Sequence, residues 1–152
     1  WCYMIAKKMK NKMPQKSKLS HLTDIYQYIN AVLMNQPEEK ILFSDTLNIE
    51  STTHEEIIAE MSELAYQSRA KNPFVHTLLS FAEDESIDEK TTKEIVQKTL
   101  DGLGYNGCQC AYAVHRNTQH VHIHLLINRV DKEQKKCRND YNDVEKLHKI
   151  ID

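Results

Sequence analysis

The sequence lacks the features that mark membrane and secreted proteins. No apolar run approaches the roughly 20 residues that a membrane-spanning helix needs. No basic segment followed by an apolar stretch is present at the N-terminus, so no secretory signal is predicted. The four cysteines (Cys2, Cys108, Cys110 and Cys137) form no CxxC pair. Disulfides are therefore not expected, and the thiols are interpreted as reduced and structural.

Internal repeats, low-complexity tracts and linkers are also absent. The 152 residues, 40% hydrophobic and 28% charged, correspond to about one globular domain. Residues 1–152 are therefore predicted to form a single domain. Residues 1–3 precede Met4, which looks like a natural start, and a helical pattern runs up to Asp152. We expect that residues 1–3 are not native and that the domain is the N-terminal part of a longer protein.

The net charge is small, but the charged residues are unevenly distributed along the chain. A net charge of −2 argues weakly against a nucleic-acid-binding protein. The acidic residues, however, concentrate between Glu83 and Glu89, whereas lysines crowd the N-terminal segment. Such segregation can give a neutral molecule a positive face that binds a phosphate backbone. A solvated lysine-rich loop explains the charges equally well. The candidate DNA-binding lysines are Lys7, Lys8, Lys10 and Lys12.

The hydrophobic periodicity predicts alternating strands and helices. Consecutive strands late in the chain imply an α+β fold, an antiparallel β-sheet with helices packed on one face. Pro37 and Pro73 mark turns, and Gly102 and Gly104 can end a helix. The predicted strands are 4–9, 41–43, 74–81, 110–115 and 121–130, and the predicted helices are 19–34, one capped by Thr52 or Thr53, one from Glu89 to Leu103, and one from Asp140 onward.

Two tyrosines lie on the first predicted helix, and the helical wheel separates them. Apolar residues recur at i, i+3, i+4 and i+7 from Leu19 onward. Tyr26 lies inside this apolar stripe, whereas Tyr28 lies roughly 100° from its centre. Tyr26 is therefore predicted in the core and Tyr28 on the flank of the helix.

The most distinctive segment is QHVHIHLLIN at residues 119–128. Because side chains alternate along a strand, His120, His122 and His124 are predicted on one face and the intervening apolar residues on the other. A hairpin between this strand and the preceding one would bring His115 opposite a pair of these histidines. Three neutral imidazoles that leave coordination positions open are typical of a catalytic metal site. The alternative is a polar, partly exposed sheet face.

These motifs resemble a known family. The pattern His115-x-Asn117-Thr118, His122-x-His124 and Asn128 is similar to the histidine motif of the HUH endonucleases, and specifically of MobP-type relaxases, the mobilization nucleases of plasmids. Phe74-x-His76-x-x-x-Ser80-Phe81-x-x-x-Glu85 resembles the second motif of that family, and Ile25-Tyr26-Gln27-Tyr28-Ile29 resembles the first. The resemblance covers residues 4–151 and implies the fold of HUH relaxases, which is called the HUH relaxase or Rep-like palm.

The resemblance implies a metal site. His115, His122 and His124 would hold one divalent ion, magnesium or manganese, with zinc as an alternative in the isolated domain. Glu85 would support these histidines or approach the ion. Asn117 departs from the family, which often has an acidic residue there; asparagine can accept a hydrogen bond but cannot act as a base. His120 is not required by the family and is interpreted as exposed or facing DNA.

The resemblance also implies a function. Tyr28 would be the catalytic nucleophile, and Ser80 would contact DNA near the cleaved bond. The expected reaction is strand-specific nicking and rejoining at a plasmid transfer origin through a covalent 5′-phosphotyrosine. The implied partners are single-stranded or hairpin origin DNA, accessory relaxosome proteins and a type IV secretion coupling protein. The implied location is the bacterial cytoplasm, with transfer to a recipient cell.

Three alternatives stay open at this stage. A rolling-circle replication initiator or a transposase-type HUH nuclease would place its tyrosine after the histidines, where Tyr141 stands. A non-catalytic DNA-binding accessory module would use the histidines structurally. A small metallohydrolase would use a metal-bound water and form no covalent adduct.

Overall fold

The computed structural model describes residues 4–9, 17–30, 40–81, 87–117 and 120–139. Within these ranges, all strand pairs are antiparallel, and the sheet order is β1-β3-β5-β4-β2. The predicted α+β class with an antiparallel sheet is therefore confirmed. The elements are β1 (Met4–Met9), α1 (Lys18–Asn30), β2 (Lys40–Leu47), α2 (His54–Tyr66), β3 (Phe74–Phe81), α3 (Glu89–Leu103), β4 (Cys110–Arg116) and β5 (Val121–Asn128).

The helices cover both faces of the sheet, so the expectation of helices on one face is wrong. On one face, α3 packs through residues such as Leu100 against Ile123 and its neighbours. On the other face, α1 and α2 contribute Leu22 and Met61, which join Leu126 in a second apolar cluster. Nearly all of β5 is buried. A single helical layer would have left one face of this strand, including Leu126, in water, which explains the second layer.

Side-chain caps set the ends of α2 and α3 where the sequence predicts them. The hydroxyl of Thr53 accepts a hydrogen bond from the Glu56 amide at the start of α2. The carboxylate of Asp88 accepts one from the Thr91 amide at the start of α3. Gly104 ends α3 in the left-handed conformation with φ of 80°. This conformation is strained for residues with a Cβ, which is why glycine is favoured there.

The first helix is fixed to α2 at two points. Near its start, the Lys18 ammonium donates to the carbonyls of Ala65 and Ser68, at 2.9 and 2.7 Å, at the C-terminal end of α2. Cations are favoured at this end of a helix by its unpaired carbonyls. Two turns later, the Tyr26 hydroxyl is 2.7 Å from Nδ1 of His54, the first residue of α2. The two helices are therefore antiparallel.

Several element ends differ from the prediction or lie beyond the described residues. Strand β2 extends to Leu47 rather than ending at Phe43, because its backbone pairs with β4 as far as Cys110. Much of β2 is exposed at the sheet edge. Its polar residues therefore lack the apolar pattern by which a strand is predicted from sequence. Residues 31–34 of the first predicted helix and the final predicted helix from Asp140 fall outside the described residues.

The buried cysteines in the described residues form no disulfide, and their thiols are unreactive at neutral pH. Cys108 and Cys110 are fully buried near the start of β4. Burial raises the pKa of the Cys108 thiol to about 11, so this thiol stays protonated at neutral pH. None of the three helices within the described ranges has the length and apolar character needed to cross a membrane.

Asn128, the last residue of the histidine motif, lies at the end of β5 and is fully buried. Its amide nitrogen donates to the Met61 carbonyl at 3.2 Å and to Oε1 of Gln109 at 3.0 Å. Its Oδ1 accepts from the Val130 amide at 3.1 Å. Asn128 therefore joins β5 to α2 and to the segment before β4, which is a structural task.

Replacing Asn128 with alanine is predicted to destabilise the fold. The substitution leaves the buried polar groups of Met61, Gln109 and Val130 without this partner, which costs on the order of 3 kcal/mol. Urea unfolding of Asn128→Ala measures the loss. Gln97→Ala, which removes a surface amide from α3, serves as the control and is expected to change stability by less than about 0.5 kcal/mol. Equal stabilities for both variants would contradict this structural role.

Candidate active site

The three predicted histidine ligands come together on one face of the sheet. His122 and His124 lie on β5, and His115 on β4 pairs directly with His122 across the hairpin. The intervening residues Val121 and Ile123 are buried in the apolar cluster on the opposite face. The predicted division of β5 into a histidine face and an apolar face is therefore confirmed. The His115 and His124 ring centroids are 4.5 Å apart, and those of His122 and His124 are 6.5 Å apart.

His115 connects this face to the end of α1. Its Nε2 forms a short hydrogen bond with the carbonyl of Ile29, in the last turn of the helix. The last carbonyls of a helix have no partner within the helix, so the imidazole satisfies one of them. A carbonyl can only accept, and therefore Nε2 of His115 carries a proton. The bond holds α1 over the histidine face.

A fourth histidine, His76 on β3, belongs to the same cluster. Its Nε2 is 2.9 Å from Nδ1 of His124, and both rings are nearly buried. Burial lowers the pKa of His76 to about 4 and that of His124 to about 2, and repulsion from His115 and the other imidazoles adds to the effect. Both rings are therefore neutral at physiological pH. A neutral imidazole keeps the lone pair that metal binding requires.

His122 contacts two of the other predicted site residues. Its Nδ1 is 2.9 Å from the Ser80 hydroxyl of β3, and its Nε2 is 3.2 Å from the Asn117 amide nitrogen. The Asn117 side chain also accepts a hydrogen bond from the His120 backbone amide, at 2.7 Å, within the β4–β5 turn. His120 is only partly exposed, since its Nδ1 lies 3.2 Å from the Phe81 carbonyl. Asn117 thus contacts the site as a hydrogen-bonding group.

The two tyrosines of α1 are separated as the helical wheel predicts. Tyr26 is 4% exposed and Tyr28 is 38% exposed. Burial raises the pKa of Tyr26, which disfavours its phenolate. The Tyr28 ring packs edge-on against two of the clustered imidazoles, with centroid distances of 5.6 Å to His76 and 5.7 Å to His124. The exposed tyrosine is therefore the one beside the histidines.

The donor chemistry of the cluster fits a divalent ion, although the rings are not arranged around one. Imidazoles on adjacent strands are the ligand type that zinc and other first-row divalent metals accept. Within the described ranges, however, no three histidine, cysteine, aspartate or glutamate side chains converge on a common point. The bond from His115 to the Ile29 carbonyl directs one nitrogen of that ring toward the helix. Metal binding would require the three ligand rings to move closer to a common point.

Comparison with known proteins gives the family. Residues 28–152 match the family described as relaxase, MobA/VirD2-like, nuclease domain. The chain belongs to this family. It is 36% identical over 85 residues to Protein MobA of Acidithiobacillus ferrooxidans, covering 55% of the chain and 21% of that protein. It is 28% identical over 142 residues to Protein TraI of Escherichia coli, covering 91% of the chain and 18% of that protein. The chain spans about a fifth of the length of these two relatives.

The membership in the relaxase nuclease family agrees with the resemblance that the motifs indicated. Several residues named for that resemblance fall outside the described residues or lack described side chains. Glu85, Lys10, Lys12 and Tyr141 lie outside the described ranges. Lys7 and Lys8 lie within β1, where the backbone pairing is described. Their roles stay predictions.

His76 belongs to the second sequence motif, but the motif resemblance implies no role for it at the site. A signal was present, since His76 and Ser80 are four residues apart on a predicted strand and therefore share a face. The sequence does not reveal that β3 pairs with β5, because α3 and β4 lie between these two strands in the chain. The pairing places Ser80 directly opposite His122.

Replacing Tyr26 with phenylalanine is predicted to lower stability, whereas the same change at Tyr28 is not. Tyr26→Phe removes the hydroxyl that bonds to His54 and costs about 1 kcal/mol. Tyr28 is more than a third exposed, so its hydroxyl contributes little to the fold. Thermal and urea unfolding of the two single variants compare these effects. A larger loss in Tyr28→Phe would contradict the division between a structural and a site tyrosine.

Proposed function

We propose that the chain is the catalytic domain of a relaxase that nicks and rejoins one DNA strand at a plasmid transfer origin. One observation carries the proposal: the exposed Tyr28 packs against the imidazoles of His76 and His124. A nucleophilic tyrosine must reach both its substrate and the groups that stabilise charge on the phosphate. Membership in the relaxase nuclease family supports the same function.

Tyr28 attacks the scissile phosphorus through its phenolic oxygen. A bond forms between this oxygen and the phosphorus, and the bond to the 3′ oxygen breaks. The products are a 5′-phosphotyrosine on the protein and a DNA strand that ends in a 3′-hydroxyl, which takes up one proton. The phenolic proton leaves to solvent, which reaches the 38%-exposed ring. Because one phosphoester replaces another, the reaction can run backward and rejoin the strand.

His115, His122 and His124 would hold one divalent ion, magnesium or manganese in the cell and zinc as an alternative in the isolated domain. When bound, such an ion acts as a Lewis acid on the phosphate oxygens. The protein keeps the His124 ring neutral, since burial lowers its pKa to about 2. Ser80 and Asn117 bind the two nitrogens of His122 and fix the direction of that ring. Glu85 stays a candidate supporting group.

The substrate of this proposal is single-stranded or hairpin DNA from the transfer origin. Lys7, Lys8, Lys10 and Lys12 would bind its phosphate backbone, and Ser80 would approach the cleaved bond from β3. Relaxosome proteins and a type IV secretion coupling protein would be partners of the full-length protein, in the bacterial cytoplasm and with transfer to a recipient cell. The relaxase family supports these partners and this location.

The test is formation of a covalent tyrosine–DNA adduct. The chain is incubated with Mn²⁺ or Mg²⁺ and single-stranded oligonucleotides that tile the transfer origin of the replicon encoding it. Denaturing gels then detect the adduct, and mass spectrometry identifies the modified residue. Tyr28→Phe is expected to reduce adduct formation at least about a thousandfold, because the attacking oxygen is gone. Tyr26→Phe is the matched control and is expected to retain the adduct.

Other results of this assay would support the alternatives. Adduct formation that survives Tyr28→Phe but not Tyr141→Phe would indicate a rolling-circle initiator or a transposase-type nuclease. Cleavage without any adduct would indicate a metallohydrolase with a bound water as nucleophile. DNA binding without cleavage on any oligonucleotide would indicate an accessory module.

Removing the metal ligands is predicted to stop nicking while DNA binding persists. Chelation with EDTA, or the single variants His115→Ala and His122→Ala, should slow adduct formation at least about a hundredfold. His54→Ala is the matched control, because His54, on α2, bonds to Tyr26 rather than to the clustered imidazoles. Gel-shift affinity for the oligonucleotide should stay within about threefold. Full activity in EDTA would contradict a metal-assisted reaction.

A further inference from the structure

Strand β3 carries two polar side chains that contact the predicted metal ligands of β5. His76 and Ser80 are four residues apart, so they lie on the same face of the strand. The His76 Nε2 atom is 2.9 Å from Nδ1 of His124, and the Ser80 hydroxyl is 2.9 Å from Nδ1 of His122. Both contacts therefore involve the same ring atom of the β5 histidines. Strand β3 pairs with β5 along its length, which holds these partners at a fixed distance.

The proton positions on His122 follow from its neighbours. The Asn117 oxygen already accepts a hydrogen bond from the His120 amide, so the Asn117 nitrogen faces Nε2 of His122. An amide nitrogen can only donate, and Nε2 of His122 must therefore have the lone pair. In a neutral imidazole the proton then resides on Nδ1, which donates to the Ser80 hydroxyl. His122 is consequently fixed as the Nδ1–H tautomer.

The bond between His76 and His124 can run in either direction, and the direction decides which nitrogen of His124 has a lone pair. A hydrogen bond between two ring nitrogens needs a proton on one nitrogen and a lone pair on the other, and a neutral imidazole has one of each. If His76 donates, the remaining nitrogen of His124, Nε2, is protonated and cannot bind a metal. If His124 donates from Nδ1, its Nε2 atom has the lone pair.

We propose that β3 positions the β5 histidines, with His76 accepting from Nδ1–H of His124 as Ser80 accepts from Nδ1–H of His122. Both rings then have their lone pair on Nε2, in the same tautomer on the same strand. Histidines that bind metals commonly donate their other ring N–H to a fixed partner, which sets tautomer and direction. The use of these lone pairs for a divalent ion rests on the proposed function. His76 and Ser80 are positioning residues.

The tautomers can be measured directly in the metal-free protein. Long-range ¹H–¹⁵N correlation spectra of the imidazole rings distinguish a protonated nitrogen from one with a lone pair. His122 and His124 are assigned by comparison with His122→Gln and His124→Gln. Both rings are expected to show protonated Nδ1 and unprotonated Nε2 at pH 7.5. A protonated Nε2 on His124 would overturn the proposal for His76, and a protonated Nε2 on His122 would overturn it for Ser80.

Variants of His76 test whether the hydrogen bond sets metal affinity. His76→Gln places an amide oxygen near the position of Nε2 and can still accept from His124, whereas His76→Leu cannot. Isothermal titration with Mn²⁺ is expected to show a loss of about 10- to 100-fold in affinity for His76→Leu and less than about threefold for His76→Gln. Thr77→Val, a buried polar-to-apolar change at the next residue of β3, should leave affinity and tautomers unchanged.

Equal affinities for His76→Leu and the wild type, or equal losses for the leucine and glutamine variants, would overturn the proposal. If His76→Leu fails to fold, as circular dichroism would show, His76→Gln and the wild-type tautomers still decide the question. Failure of the proposed function has a different signature. Correct tautomers with no adduct on any oligonucleotide would refute the relaxase reaction and leave the role of β3 intact. Adduct formation with the opposite tautomer on His124 would refute the role of His76 alone.

Discussion

The hydrogen bond from His115 to the Ile29 carbonyl is the interaction on which the arrangement of the site depends. It joins the centre of the sheet to the last turn of α1, next to Tyr28. Lys18 and Tyr26 fix the same helix to α2. Because a helix is stiff over one turn, fixing Ile29 also fixes the backbone of Tyr28, whose ring contacts the imidazoles of His76 and His124.

Placing four imidazoles under a helix has an electrostatic consequence. Each charged imidazolium would lose its hydration and repel its neighbours, and so burial and mutual repulsion hold the pKa of His76 and His124 well below their usual range. The nitrogens of the clustered rings are instead satisfied through hydrogen bonds. Those bonds run to a helix carbonyl, a serine hydroxyl, an asparagine amide and another histidine. The same bonds that make burial tolerable determine which nitrogen keeps a lone pair.

Much of this arrangement could be predicted from the sequence because it depends on local periodicity. Alternation along β5 gave the histidine face, and the helical wheel separated Tyr26 from Tyr28. The position of α1 on that face and the partnership of His76 with His124 depend on strand order, which local periodicity does not contain. The presence of helices on both faces of the sheet was not predicted, for a related reason. Leu125 and Leu126 are adjacent, so one of them needed a second layer, but the single-face expectation rested on element order alone.

The histidine motif combines two tasks on one strand. His122 and His124 face the site, whereas Asn128 is buried at the far end and bonds to Gln109 and the Met61 carbonyl. These bonds hold the end of β5 against α2 and the segment before β4. Since backbone pairing makes a strand rigid along its length, a fixed end also limits sliding of β5 past β3. A one-residue slip would turn the histidines to the opposite face. Asn128 therefore supports the site from a distance by preserving the register that sets His122 opposite Ser80.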